Sequence, residues 1–383
     1  MNGDERRRFL EDLYRAALAG VDPRQRVAQA LAARQIARAL DVRAEGGEVG
    51  VFAVGKAAAA MIAGARLRFR RGLAVLPRGF SPPAPRRGLE ILFASHPEPD
   101  SSSLAAARRS REFFASFGRR DAILCLVSGG TSSLLCQPRA GLTLSEKKRR
   151  IARLVRSGAG ILEVNRLRTS LSAVKGGRLG RETRARLVTL VVSDVPGDRP
   201  SAVGSGPTIR GRAGDVVHVV GTNRMGLEAA ARFARERGLS ARTISRRLGG
   251  EARDAGASFA RAAARLDPGQ ILLAGGETTV ALGRRSGRGG RSLELALAAA
   301  RVLASAREVM LLAAGSDGRD GSSAGAGAFA DSGTIARART LGLDAADALD
   351  RHDTQAFFAA LGDLFVTGPT GTNVADWAFA VRL

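Results

Sequence analysis

The feature that most constrains this chain is a series of short apolar runs that recur along it, separated by Ala-, Leu- and Arg-rich segments at helical spacing. The runs are VGVFAV (49–54), GLAVLP (72–77), LEILFAS (89–95), AILCLVS (122–128), LVTLVVSDV (187–195), VVHVVG (216–221), QILLAGG (270–276), EVMLLAAG (308–315) and DLFVTG (363–368). Strands buried on both faces read as unbroken apolar runs, whereas half-exposed strands alternate. The pattern therefore predicts an α/β protein with parallel sheets covered on both faces. Helices are expected at 102–117, 144–157 and 223–238, the last opening with Asn223 as its cap. From 242 to 264 charge increases and apolar periodicity loosens, so a larger domain is expected over 1–240 and a smaller α/β domain over 241–383.

No uncharged apolar run approaches the roughly 18 residues that cross a bilayer. The N-terminus mixes acids with bases at helical spacing and has no signal-peptide core. These features predict a soluble cytoplasmic protein that makes no use of a membrane. The two cysteines, Cys125 and Cys136, exclude a disulfide framework, and His96, His218 and His352 lie too far apart for a structural zinc site. There are 60 Lys+Arg against 36 Asp+Glu, a formal charge of +24, but the arginines occur along nearly the whole chain and aromatics make up only 4%. Base-stacking platforms need more rings than this, so no specific nucleic acid is expected as partner. A positive field of this size instead favours a small anionic substrate.

Only four of the basic residues are lysines: Lys56, Lys147, Lys148 and Lys175. A chain that otherwise uses arginine retains lysine where a compact ammonium is needed. Lys147 and Lys148 lie in SEKKRR and read as a solvated helix face, which leaves Lys56 (VGKAAAAM) and Lys175 (SAVKGGRL) as the candidates.

Several Gly-rich turns follow the expected strands, at the strand ends where α/β folds bind ligands. Gly50 to Lys56 fits GxxxxGK, but Ala57 replaces the Ser or Thr of a P-loop and VFAV is a strand, so only a lysine at a strand end survives. In LVSGGTSSLL, Ser128, Gly129, Gly130, Thr131 and Ser132 form either a backbone nest for phosphate oxygens or a plain capped turn. After the next strand, SDVPGDRPSAVGSGPT carries Asp194 and Asp198, carboxylates that could hold magnesium, orient a hydroxyl or accept its proton, or simply form Asx turns. Glu277 follows GG in GGETTV, and Arg291 ends GRGGR. Asp317 lies in AAGSDGRDG, and Thr370 and Asn373 lie in the nest GPTGTN. Gly325 to Ala330 matches GxGxxA but follows polar, turn-like residues, a weak dinucleotide signal.

Taken in order, VGKAAAAM, SHPEPD (which includes His96), LVSGGTSSLL, LSAVKGGRL, VVSDVPGDRPSAVGSGPT, GGETTV, AAGSDGRDGSSAGAGAFAD and ALGDLFVTGPTGTN resemble the successive signatures of the class II glycerate 2-kinases with a C-terminal MOFRL domain. The resemblance runs from residue 51 to near the end. It implies a Rossmann-like N-terminal domain, a smaller α/β C-terminal domain and an active site in the cleft between them. It also implies ATP- and Mg2+-dependent phosphorylation of D-glycerate at its 2-hydroxyl, in a monomer or homodimer whose partners are small molecules. Hydroxypyruvate reduction, or ligand sensing without catalysis, are the rival readings of the same fold. By motif, Lys56 and Arg291 resemble the family's essential lysine and arginine, and Asp194 is assigned to magnesium or the attacking hydroxyl. Ser128 to Ser132, Lys175 and Glu277 are expected at the nucleotide phosphates. His96, Asp198, Asp317, Thr370 and Asn373 are expected around the substrate. The chain departs from the family where Thr131 stands in SGGTS for SGGGS, where Ser292, Leu293 and Glu294 follow Arg291 in place of NQE, and where Thr169 and Ser170 replace a Lys-His pair.

Overall fold

The computed structural model describes residues 2–157, 161–282, 287–306 and 308–383. Twelve strands lie among the described residues: β1 (Val49–Val54), β2 (Arg71–Pro77), β3 (Leu89–Ala94), β4 (Ala122–Val127), β5 (Arg186–Val192), β6 (Val216–Gly221), β7 (Ser240–Leu248), β8 (Gln270–Gly276), β9 (Val309–Gly315), β10 (Gly327–Asp331), β11 (Leu364–Phe365) and β12 (Asp376–Arg382). The chain divides into two compact units, Asp22–Gly221 and Met1–Val21 with Thr222–Leu383. No helix among the described residues is long and apolar enough to cross a membrane.

In the unit Asp22–Gly221 all six strands are parallel, in the order β3-β2-β1-β4-β5-β6. This is the Rossmann order. The chain winds outward from β1 to β3, then returns to place β4 on the other side of β1. The strand order reverses between β1 and β4, so the connections leaving their carboxyl ends run to opposite faces and open a crevice. Burial explains the apolar runs: Val51 to Val54 and Ala122 to Leu126 are fully buried, and each large apolar side chain so removed from water contributes about 1.5–3 kcal/mol. The helix Ser101–Ala115 starts at a capping box on Asp100, whose Oδ1 accepts from Ser102 N at 2.8 Å. Its Phe113 and Phe114 pack on Phe52 of β1.

The second unit holds a mixed sheet, β11-β10-β9-β12-β8-β7. Only β7 and β8 are parallel in it; β12 runs antiparallel between β8 and β9, and β10 runs antiparallel to β9 and β11. The expectation of purely parallel pairing holds for the first sheet and is corrected for this one. The seam expected at 242–264 is instead β7 followed by the helix Ala252–Ala263. β7 is an edge strand whose residues alternate between half-buried and exposed, so SARTISRRL carries charge on one face and lacks the apolar run of a central strand. The units meet in sequence at Gly221, not near residue 240, because the helix Asn223–Arg235 packs on Gly3–Gly20 and against β7 and β8.

Three smaller expectations also change. The cap of Asn223–Arg235 is Thr222, whose Oγ1 accepts from Met225 N at 3.2 Å, while Asn223 Nδ2 donates to Val374 O at 2.8 Å. Gly325 to Ala330 runs into β10, an antiparallel strand, and does not form the strand–turn–helix of a dinucleotide fingerprint. Lys147, expected on a solvated face, is buried in the helix Leu144–Arg156, whereas Lys148 beside it is exposed. Successive helical residues point about 100° apart, so one of the pair turns inward.

Candidate active site

Of the residues expected to carry chemistry in the first unit, Lys56, His96, Ser128 to Ser132 and Lys175 gather at the β1/β4 reversal. Gly55 and Lys56 follow β1, and Ser128, Gly129 and Gly130 follow β4. The two turns interlock, with Lys56 N donating to Gly129 O at 2.9 Å and Ala57 N donating to Ser128 Oγ at 3.1 Å. Gly55 has φ +117°, and a Cβ there would lie 2.2 Å from Ser128 Oγ, so only glycine allows the turns to approach this closely. A Cβ on Gly130 would meet His96 Cδ2 at 3.2 Å and Lys56 Cγ at 3.4 Å, so Lys56 and His96 flank the glycine turn. Among the described residues, the amides of Gly129 to Ser132 make no backbone hydrogen bond, the first such bond of the turn being Ser133 N to Gly130 O at 3.1 Å. The helix that follows, Thr131–Leu134, is a single turn. The positive potential of this turn therefore comes from these amides and the nearby lysines more than from a helix dipole.

Further motifs close around the same turn. A Cβ on Gly204 would touch Thr131 Cβ at 2.4 Å, which brings VGSG against the SGGTS turn. Gly176 N donates to Ser205 O and Gly177 N to Gly206 O, both at 2.8 Å, so the loop of Lys175 is tied to VGSG. Lys175 Nζ donates to Ser132 Oγ. Burial pushes the Lys175 ammonium down to about 7, helped by the neighbouring charges of Lys147 and Arg168. Asp194 follows β5, which pairs with β4, so it shares the carboxyl edge of the sheet with the glycine turn. Asp198 lies four residues on, at φ +51°, where its N–H donates to Val195 O at 3.2 Å.

The second unit gathers a different set. Arg291 opens the helix Arg291–Leu303 and pairs with Asp376 of β12, through Nε to Oδ2 and through Nη2 to Oδ1 at 3.1 Å, and with Glu277. Burial opposes the guanidinium charge, but Asp376 and Glu277 outweigh it and hold Arg291 above the ordinary arginine value. Asp320 accepts from Ser292 N at 3.1 Å and Leu293 N at 2.8 Å, which fixes the start of that helix. Burial, then the charge of Asp376, raise the Asp320 carboxyl to about 7 against those two donors. A Cβ on Gly315 would lie 3.4 Å from both Asp317 Oδ1 and Asp376 Oδ1. Thr370 Oγ1 donates to Ser316 O at 2.5 Å, and Asn373 is buried beside it in the same loop. Tyr14 supports this floor from the N-terminal helix, its hydroxyl donating to Gly315 O at 2.8 Å. Glu294 is engaged elsewhere, with Arg253 Nε at 3.0 Å and His352 Nδ1 at 2.6 Å.

The family described as a domain of unknown function, DUF4147, matches residues 9–232, and the MOFRL family matches residues 270–376. The crystal structure of a glycerate kinase from Thermotoga maritima superposes with a TM-score of 0.83 at 31% identity, over 98% of this chain and 99% of that one. A protein of the same organism named D-glycerate 2-kinase is 34% identical, over 85% of this chain and 88% of its own. A protein of Agrobacterium vitis, provisionally named a hydroxypyruvate reductase, is 37% identical, over 97% of this chain and 93% of its own. The chain belongs to the glycerate kinase family with a MOFRL domain.

Within this member of the glycerate kinase family, the sequence reading missed Asp376, Asp320, Tyr14 and Lys147. Asp376 and Tyr14 sit in ordinary-looking apolar contexts, ADWAF and DLYRA, and only strand pairing and helix packing bring them to the Arg291 loops. Asp320 stands three residues after Asp317 in SDGRDG and was legible as an acidic loop residue, but nothing local marks it as the cap of a helix that starts 29 positions earlier.

Proposed function

We propose that this glycerate kinase family member transfers the γ-phosphoryl group of ATP to the 2-hydroxyl of D-glycerate, giving ADP and 2-phosphoglycerate. The observation that carries the reading is the convergence of Lys56, His96 and the SGGTS turn at the strand-order reversal of a parallel sheet. Phosphoryl transfer demands little covalent chemistry from a protein; it demands in-line positioning and stabilisation of charge. In this reading the amides of Gly129, Gly130, Thr131 and Ser132 hold nucleotide phosphates, and the Lys56 ammonium stabilises charge on the phosphoryl group in transfer. Arg291 offers the glycerate carboxylate the N–H groups that remain after Asp376 and Glu277 are served, since a guanidinium carries five donors. His96, Asp198, Asp317, Thr370 and Asn373 complete the hydrogen bonding to the acceptor.

A magnesium ion that arrives with a nucleotide needs only one or two protein carboxylates, because phosphates and water supply the rest of its octahedron. Asp194, two residues beyond β5, offers a carboxylate of that kind. When bound, the ion would neutralise phosphate charge. The chain's own part is to orient the acceptor hydroxyl through Asp194 and to accept its proton there. A cytoplasmic monomer or homodimer that acts on small molecules belongs to the same reading.

The test is ADP release from ATP over a panel of small hydroxy acids, run beside NADH or NADPH oxidation with hydroxypyruvate. ADP formation that depends on D-glycerate is the expected result. Cofactor oxidation at enzymatic rates without ADP formation would replace the kinase reading with the reductase.

A further inference from the structure

Half of this chain's lysines are buried in one place, although the chain uses arginine for nearly every other cation. Lys147 is 2% exposed and Lys175 3%. They come from separate segments: Lys147 from the helix Leu144–Arg156, and Lys175 from the loop after the helix Ile161–Ser170. A short antiparallel pairing brings Lys175 to Cys136, with Ala173 N donating to Gln137 O at 2.9 Å, Arg139 N donating to Leu171 O at 3.2 Å, and a bridge between Pro138 and Ser172. Lys175 Nζ donates to Ser132 Oγ in the SGGTS turn. The Lys147 Nζ meets no oxygen or nitrogen acceptor among the described residues; its polar neighbour is the Cys136 thiol. The charged or titratable groups that act on Lys175 are Lys147, the Cys136 thiol and Arg168, and the Cys136 thiol acts on Lys147. No carboxylate is among them, in contrast to Lys148, which pairs with Glu98 at 3.7 Å.

A buried ammonium without a counter-charge costs several kcal/mol, and here two of them lie together with Arg168 near, Lys175 reaching the Ser132 hydroxyl of a turn whose amides make no backbone hydrogen bond. We infer that Lys147 and Lys175, with the Ser132 hydroxyl, bind a phosphoryl dianion, for which Lys147 supplies N–H donors that no oxygen of the described residues accepts. The inference deepens the kinase reading and rests on it for the molecule that carries the phosphate, either the nucleotide or the phosphorylated product. The anion site itself does not depend on turnover. Bound phosphate keeps protons on both lysines, so its affinity falls as pH rises past neutrality; Lys147, Arg168, Cys136 and Ser132 are the groups that face Lys175 in that equilibrium.

The chain's four lysines make a direct test available. In full-length protein carrying isotope-labelled lysine, titration with inorganic phosphate is expected to shift the side-chain signals of Lys147 and Lys175 while that of Lys148 stays still. Parallel titrations with ADP and with 2-phosphoglycerate identify the carrier by which one reproduces the shifts. The variant Lys147→Met is expected to weaken phosphate binding about 10- to 100-fold, the scale of one lost charge-assisted hydrogen bond. Should that variant fail to fold, the titration of the unmodified chain still decides. Unmoved Lys147 and Lys175 signals, or phosphate binding unaltered in a folded Lys147→Met, would overturn the site. Thiolate absorbance at neutral pH that disappears in Cys136→Ser would also overturn it, since the counter-charge would then be internal. A chain that shows the lysine shifts but forms no ADP would keep the anion site and lose the kinase reading.

Discussion

The two units solve the same electrostatic problem from opposite sides. In the first, burial presses the Lys175 ammonium down to about 7, and its charged neighbours, Lys147 and Arg168, are cations as well. In the second, burial lifts the Asp320 carboxyl to about 7, but two backbone donors, and Arg291 beyond them, stand against that rise. The first unit holds two buried lysines with no carboxylate among the groups that act on them, and the second holds a cation, Arg291, clamped between Asp376 and Glu277. In the anion site we infer, lysines without a carboxylate beside them are the groups that a bound phosphate neutralises. A clamped guanidinium is fixed in direction before any ligand arrives, with few donors to spare. Charge supply and orientation are thus divided between different stretches of sequence.

Substitutions that remove one side of this contrast should have unequal effects. Lys56→Ala is expected to lower kcat by roughly 10²-fold at saturating ATP and glycerate, the scale of one preorganised electrostatic group; unchanged steady-state turnover would remove Lys56 from the chemistry. Asp376→Ala leaves Arg291 without its main partner. It is expected to cost about 2–3 kcal/mol in urea unfolding, below the usual range for a broken buried pair because solvent reaches part of the arginine.

The pH dependence of stability separates the units. A lysine whose folded pKa is lowered binds fewer protons in the folded chain than in the unfolded one, so its penalty is fully present below about 7 and is relieved as pH rises from there toward 10.5. An aspartate whose folded pKa is raised does the reverse: its favourable contribution is present below 3.8 and is lost as pH rises through about 7. Lys175→Met should flatten the alkaline rise, and Asp320→Asn should flatten the fall between acid and neutral pH, each read by denaturant midpoints across pH. Thr222→Ala, which removes only a helix cap in the second unit, is expected to cost about 1 kcal/mol and to leave both pH limbs in place.

Much of the first unit was legible because a parallel sheet buries its central strands on both faces, and the six runs from VGVFAV to VVHVVG announce themselves by composition although the edge strands β3 and β6 are only partly buried. The turns at its strand ends were legible for a related reason, since glycine, serine and a rare lysine there have few structural excuses. The second unit was harder to read. β7 is a charged edge strand, β10 reads as a glycine-rich loop, and β12 was not anticipated as the antiparallel centre of the sheet. Arg291 stood out by motif, but the carboxylate that aims it lies 85 residues away in sequence and meets it only through strand pairing. Lys147 was misjudged because a run of adjacent charges hides which of them faces inward.

The most direct test of the kinase account is a single-turnover reaction of the purified chain with ATP, Mg2+ and D-glycerate, with the product read by phosphorus NMR. The expected result is one new phosphomonoester signal whose coupling places the phosphate on carbon 2. A phosphate on carbon 3, or ATP left intact beside glycerate, would contradict it.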